Sequence, residues 1–258
     1  MGSTAAAAAA TSMSGNLNPP TSDLAATALT HWEKVSLSTR WGRYLDEIER
    51  RAVLGGADAA GGHGNALDVG CDGGRWDALL VENGVWHFTL TEIRPEALET
   101  ASRRLPGARC ALVQPTDTTL PCASDSMDLL LCIEVPAVVN KDWFAVEASR
   151  VLRAGGVLVT TIHNRSSWRA RLHATGRAIT PRATRWSSDW YQVRYKEWRQ
   201  KLEQRGFKLI HEEGYCWAPF ARQSDSPLVP LFVRGEHLLG LNHLTSLSPW
   251  VAVVAQKK

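Results

Sequence analysis

Apolar positions along this chain recur with two different periods, and the periods alternate. Over residues 31–54, Trp32, Val35, Trp41, Tyr44, Leu45, Ile48 and Ala52 fall at helical spacing, which predicts one or two amphipathic helices. A Gly- and Ala-rich stretch, 55–65, then reads as a linker. Beyond it, short apolar runs at 66–68, 86–92, 110–113, 129–133 and 157–162 alternate with helix-like segments at 76–83, 95–105 and 143–152. Asn83-Gly84 and Pro106-Gly107 are stop signals, and Pro95 suits the first turn of a helix. The run Leu129-Leu-Leu-Cys-Ile133 is continuously apolar, as expected of a strand covered on both faces. Strand and helix in strict alternation imply a parallel sheet with helices on both sides, because each parallel pairing needs a crossover. A doubly wound α/β domain follows.

The rest of the chain extends this plan. Residues 189–206 predict a helix with Trp190, Val193, Trp198 and Leu202 on its apolar face and Gly206 as its cap. Residues 208–217 and 250–255 predict two more strands. The segment between them, 218–249, is far longer than a hairpin turn, with Phe220, Pro227, Leu228, Leu231 and Phe232 ahead of a helical 236–241. Long ordered insertions usually serve function. Residues 1–30 are Ala-, Ser- and Thr-rich with Pro19-Pro20 and are expected to be disordered. Residues 31–258 then form one domain, with cap-like insertions near 164–188 and 218–249.

The chemistry concentrates at the carboxyl ends of the strands. Residues 66–76, Ala-Leu-Asp-Val-Gly-Cys-Asp-Gly-Gly-Arg-Trp, read as strand, glycine loop and helix. Glycines there let the chain turn sharply and let a ligand approach the backbone beside a helix N-terminus. The spacing is not the Gly-x-Gly-x-x-Gly of pyridine-nucleotide folds. Asp68 lies inside the first strand, and Glu92 ends the second, where a carboxylate can accept both hydroxyls of a ribose.

Over roughly residues 60–162 these features resemble the class I S-adenosylmethionine-dependent methyltransferases. The resemblance implies a Rossmann-like sheet of seven strands with the last antiparallel, and S-adenosyl-L-methionine as cofactor. It assigns Asp68 and the loop Gly70, Cys71, Asp72 and Gly74 to the methionine end, and Glu92 with Ile93 to the ribose. It puts the adenine amino group at Thr116, Asp117 and Thr118, the backbone of Cys132 near the methionine, and Glu134 facing the acceptor. Two positions depart from the family pattern: Asp72 stands where the family usually has Gly, and Thr116 where it has Asp, with the acid one residue later. N-terminal helices in this family often cover the cofactor and acceptor, which makes Trp41 and Tyr44 candidate lid residues. His163, just past the fifth strand, is a candidate base, since its unperturbed pKa of ~6.5 lies near working pH. Glu134 is the other candidate catalytic group.

Charge and composition narrow the partners. The 258 residues are 44% hydrophobic with a net charge of +3, too little to indicate nucleic-acid binding by the whole chain. Between residues 164 and 208, however, twelve Arg or Lys face only Asp189, Glu197 and Glu203, a local balance of +9. That segment, with Trp168 and Trp186 interleaved, can meet an anionic acceptor or an acidic surface. Five cysteines without a Cys-x-x-Cys pair indicate neither a zinc site nor a disulfide framework, and a reducing cytoplasm fits them. No metal motif is present. The Ala run at 5–10 lacks the basic start of a signal peptide, and no stretch approaches the ~20 apolar residues of a membrane span.

The expected reaction is methyl transfer to an oxygen, nitrogen or carbon of a small molecule: a lipid, a glycan precursor or a secondary metabolite, with an anionic or an apolar-aromatic handle. A nucleotide-dependent dehydrogenase shares the sheet but lacks the acid beside the glycines. A noncatalytic cofactor-binding or scaffold protein is the other alternative.

Overall fold

The computed structural model describes residues 29–179 and 189–258. Two N-terminal helices, α1 (His31–Ser38) and α2 (Arg40–Ala59), precede the sheet. The alternating part then runs β1 (His63–Val69), α3 (Arg75–Asn83), β2 (Val85–Glu92), α4 (Pro95–Arg104), β3 (Arg109–Leu112), β4 (Met127–Cys132), α5 (Pro136–Val139), α6 (Asp142–Val151) and β5 (Leu152–His163). It continues through α7 (Trp168–Ile179), α8 (Tyr195–Gln204), β6 (Phe207–Tyr215), α9 (Val229–Leu238), a 3-10 turn (Leu241–His243) and β7 (Trp250–Lys257). The seven strands lie in the order β3-β2-β1-β4-β5-β7-β6, with β7 antiparallel to both its neighbours. This is the expected doubly wound sheet with its last strand reversed.

Both faces of the sheet are covered, which is why its central strands read as unbroken apolar runs. Leu129 and Leu131 of β4 face the core shared with α2, α3 and α4, while Leu130 and Cys132 face the core shared with α5, α6 and α8. All four are fully buried. Burial of that kind contributes roughly 1.5–3 kcal/mol per large apolar side chain. Strand order reverses between β1 and β4, so the loops leaving their carboxyl ends diverge and open a crevice.

Several boundaries differ from the sequence expectation, each for a local reason. The stretch expected as a linker, 55–65, is mostly the last turns of α2 and the start of β1. Gly56 faces the sheet there, where a Cβ would stand 2.2 Å from Val159 Cγ2, so this glycine serves close helix-to-strand packing. The helix expected from 189 begins only at Tyr195. Ahead of it residues 189–191 form a turn, Asn164 pairs with Val193 in an isolated bridge, and the Asn164 Oδ1 accepts from Tyr195 N at 3.1 Å, so Val193 and Arg194 are held extended. Conversely, α9 starts seven residues earlier than the expected 236, with Pro230 in its first turn, where a missing N–H costs nothing. Arg153 to Gly156, ahead of the apolar run at 157–162, lies within β5. Residues 1–28 and the end of the basic insertion, 180–188 with Trp186, lie outside the described residues.

Candidate active site

A cavity of about 350 Å³ opens at the carboxyl edge where β1 and β4 diverge. Its cofactor end is built largely by main chain. Gly70 N and Cys71 N both donate to Thr91 O, at 2.9 and 3.0 Å, which ties the glycine loop to β2. Gly70 sits at φ +76°, and a Cβ there would meet Val135 at 2.7 Å, so this position needs glycine twice over. Asp72 also lies in the left-handed region, at φ 49°, a conformation Asp tolerates better than most residues. Asp72 therefore takes a left-handed backbone conformation without being glycine.

Glu92 is 5% exposed and accepts from Asp72 N at 3.0 Å on one oxygen, and from Ile93 N and Arg94 N at 2.9 and 3.1 Å on the other. The first oxygen keeps acceptor capacity toward the cavity. Asp68 is 2% exposed, lines the cavity, and has its Oδ2 without a hydrogen-bond partner. Burial raises the pKa of this carboxyl well above the usual range, and the neighbouring buried acid Asp77 raises it further. An orphaned buried carboxylate oxygen is the partner that a cationic amino group would satisfy. These residues thus fit the cofactor that the resemblance implies: Asp68 for the ammonium and Glu92 for the ribose.

The Asp72 side chain does something the family's glycine cannot. Its Oδ2 accepts from the hydroxyl of Thr30, the N-cap of α1, at 2.5 Å, and its Oδ1 accepts from Arg94 Nη2 at 2.5 Å. One turn on, buried Glu33 pairs with Arg104 of α4 at 2.5 Å. The start of α1 is stitched across the loop, and Trp32 from the same turn lines the cavity.

The acceptor end is built by side chains instead. Glu134 follows β4 at φ 58°, a strained angle for a residue with a Cβ. Its backbone N donates to Thr161 Oγ1 at 2.8 Å. Its carboxylate meets His163 Nε2 at 3.1 Å on one oxygen and Arg222 Nη1 at 2.6 Å on the other. Burial alone would raise the Glu134 carboxyl, but His163 and Arg222 outweigh it and hold its pKa well below the ordinary carboxylate range. With Glu134 ionised, His163 Nε2 carries the shared proton, and Nδ1, which has no partner, is the basic nitrogen. The imidazole stacks on Trp250 with centroids 4.5 Å apart and meets Trp190 edge-on at 5.9 Å. The Arg222 guanidinium lies 4.9 Å from the Trp32 ring and 5.8 Å from Trp250.

Of the sequence-chosen residues, Asp68, Gly70, Cys71 and Asp72 reach this one cavity, as do Glu92, Ile93 and Asp117. Glu134 and His163 line its other end. Gly74, Thr116, Thr118 and Cys132 do not line it. Gly74 is the N-cap of α3, turned away from the cavity, and the Cys132 carbonyl is taken by Thr160 Oγ1 at 2.7 Å. The cavity takes Asp117 rather than Thr116, and one Asp117 oxygen is already used by Gln114 N at 2.8 Å. Trp41 and Tyr44 are core residues rather than lid residues: Trp41 packs on Phe220, and the Tyr44 hydroxyl bonds to Glu236 at 2.6 Å. Sequence reasoning missed Arg222 and Thr161, and it put Trp190 on the wrong kind of element. It also missed Arg75, which stacks on Trp76 at 3.8 Å and pairs with Asp46 and with buried Glu49. Among the described residues no group of His, Cys, Asp and Glu is placed to hold a metal ion.

Residues 67–160, from β1 through most of β5, match the family described as methyltransferase domain. No curated protein matches the chain. Among solved structures, a putative sarcosine dimethylglycine methyltransferase from Galdieria sulphuraria is 14% identical, with 84% of this chain and 88% of that one covered at a TM-score of 0.56. A putative S-adenosylmethionine-dependent methyltransferase from Listeria monocytogenes is 15% identical, covering 76% and 90% at 0.53. The [4+2]-cyclase SpnF is 16% identical, covering 81% and 80% at 0.54. At these identities the likeness is one of fold, and the chemistry has to be argued from the site.

Proposed function

We propose that this chain, a class I S-adenosylmethionine-dependent methyltransferase, methylates an oxygen or nitrogen of a small molecule held between the cofactor end of the cavity and the Glu134–His163 pair. The observation that carries this reading is that the pair opens on the same cavity as Asp68 and Glu92. When bound, the cofactor supplies an activated sulfonium methyl group, so the protein has chiefly to align, desolvate and handle a proton. Glu92 and Asp117 hold the nucleoside, while Asp68 and the loop from Gly70 to Asp72 hold the amino-acid end. Trp32, Trp190 and the Val135 side of the crevice exclude water from the acceptor. The Glu134–His163 pair takes up the proton that the acceptor's O–H or N–H loses as the methyl carbon exchanges its bond to sulfur for one to the acceptor. Glu134 orients the imidazole and stabilises the imidazolium, and Arg222 keeps Glu134 ionised.

Calorimetric titration of the full chain with S-adenosylmethionine and S-adenosylhomocysteine tests the cofactor half of this reading. Glu92→Ala is expected to weaken both by about 5- to 150-fold, equivalent to ~1–3 kcal/mol of charge-assisted hydrogen bonding. Transfer of labelled methyl to a panel of phenols, carboxylic acids and amines tests the other half. A folded protein that binds neither ligand overturns the reading. Tight binding without transfer to any acceptor turns it to the noncatalytic alternative.

A further inference from the structure

Helix α9 is inside out. Leu228, just ahead of it, and Leu231, Phe232, Leu238 and Leu239 are 52%, 66%, 44%, 87% and 74% exposed, and their spacing of three, four, ten and eleven puts them on one helical stripe. The buried stripe carries Val229, the partly buried Val233, and the carboxyl of Glu236, which is 3% exposed and bonded to Tyr44. After a left-handed turn at Gly240 the apolar surface continues through Leu244 and Leu247, at 45% and 54%. Scattered exposed leucines need no explanation, but a contiguous stripe on an ordered insertion marks a contact surface.

The charges around this stripe identify what it contacts. From Ser226 to Lys258 the only acid is Glu236, and it faces inward. The exposed ionisable residues there are Arg234, His237, His243 and Lys258. A second helix adds to the surface. Arg169 of α7 donates to the carbonyls of Cys216, Ala218 and Phe220, and Phe220 meets Phe232 edge-on at 5.4 Å, so α7 is linked to α9 through the 216–220 segment. Helix α7 exposes Leu172 and Trp168 beside Arg171 and Arg177, and residues 164–179 contain no acid. Leucine and tryptophan flanked only by cations is the composition of a helix that lies in the headgroup region of an anionic bilayer. Two copies of this face brought together would oppose like charges, and the exposed carboxylate just ahead of the stripe, Asp225, is already paired with Arg40. No helix among the described residues is long and apolar enough to cross a membrane, so the contact is peripheral.

We propose that the α9 stripe, flanked by α7, docks this protein on an anionic lipid bilayer. The same insertion sends Arg222 into the cavity, which makes membrane-partitioned amphiphiles the first acceptors to screen. The docking does not depend on the transfer reaction, and cofactor titration distinguishes failure of one from failure of the other.

Co-sedimentation of the full chain with phosphatidylcholine vesicles, with and without phosphatidylglycerol, tests the proposal. We expect at least tenfold stronger binding to the anionic vesicles, weakening severalfold when salt is raised from 0.1 to 0.5 M, and a tenfold or greater loss in the double variant Leu238→Glu/Leu239→Glu. Both leucines are exposed, so the variant should melt and bind S-adenosylmethionine as the parent does. No vesicle binding, or equal binding to neutral and anionic vesicles, overturns the proposal. So does a dimer in light scattering that the double variant abolishes while neither protein binds vesicles, which would make the stripe an interface between copies.

Discussion

The two ends of the cavity are made differently. At the cofactor end the parts that matter are main-chain: Gly70 and Cys71 bonded to Thr91 O, and Glu92 gripped by three backbone N–H groups. At the acceptor end they are side chains from distant segments: Glu134 held by His163 and Arg222, with Arg169 on the carbonyls of Cys216, Ala218 and Phe220. A backbone cradle needs only a few permissive residues and persists while the strands persist. A cradle of charged side chains depends on each member keeping its partner and its protonation state. The first design suits a ligand that never changes, and the second a ligand that differs between relatives sharing the fold.

This contrast can be broken by substitution, and the largest effect is expected at Glu134. Glu134→Gln preserves shape but removes the charge that holds His163 in its working tautomer. Turnover should fall about 100-fold, within the range for loss of general-base assistance, while affinity for S-adenosylmethionine stays within about threefold. Unchanged turnover would show that the acceptor end does not handle a proton.

Acidity should act next, and on the same side. Burial pushes the Glu236 carboxyl up to about 7, against the downward pull of the Tyr44 hydroxyl. A carboxyl whose folded pKa is raised stabilises the fold most below its ordinary value, and that stabilisation is lost as pH rises through its folded pKa. Relative to Glu236→Gln, the parent should therefore lose on the order of 2 kcal/mol between about pH 5 and pH 8, read as a falling melting temperature. A difference that does not change over this range would mean that Glu236 keeps its ordinary pKa in the folded protein.

The smallest effect sharpens the boundary between the ends. Asp72→Gly suits the backbone at φ 49° and removes both the Thr30 and Arg94 contacts. Cofactor affinity should change by less than about threefold, whereas the acceptor KM should rise severalfold and amides of α1 should exchange faster. A large loss of cofactor affinity instead would place the Asp72 carboxylate in the cofactor site itself.

The same contrast explains what was legible in the sequence. Asp68, Gly70 and Glu92 lie within one αβ unit, and their spacing states their geometry, as does the unbroken run of β4 for a strand buried on both faces. Arg222 is 88 residues from Glu134 and comes from an insertion whose only sequence signal was apolar length. Nothing local to Arg222 says that it enters a cavity. Trp190 and Val193 carried a helical period, yet the bridge from Asn164 to Val193 overrides it. In 218–249 the apolar length marked an ordered insertion but not which way its residues face: the leucines of α9 are exposed, and Glu236 is held inside by Tyr44.

Helix α1 touches both ends, through Thr30 and Glu33 on one side and Trp32 beside Arg222 on the other. Any movement of this helix that uncovers the nucleoside cradle also dismantles a wall of the acceptor compartment. On the proposed function the two compartments are therefore linked through α1, and a change that loosens either its Thr30 or its Trp32 contact is felt at both.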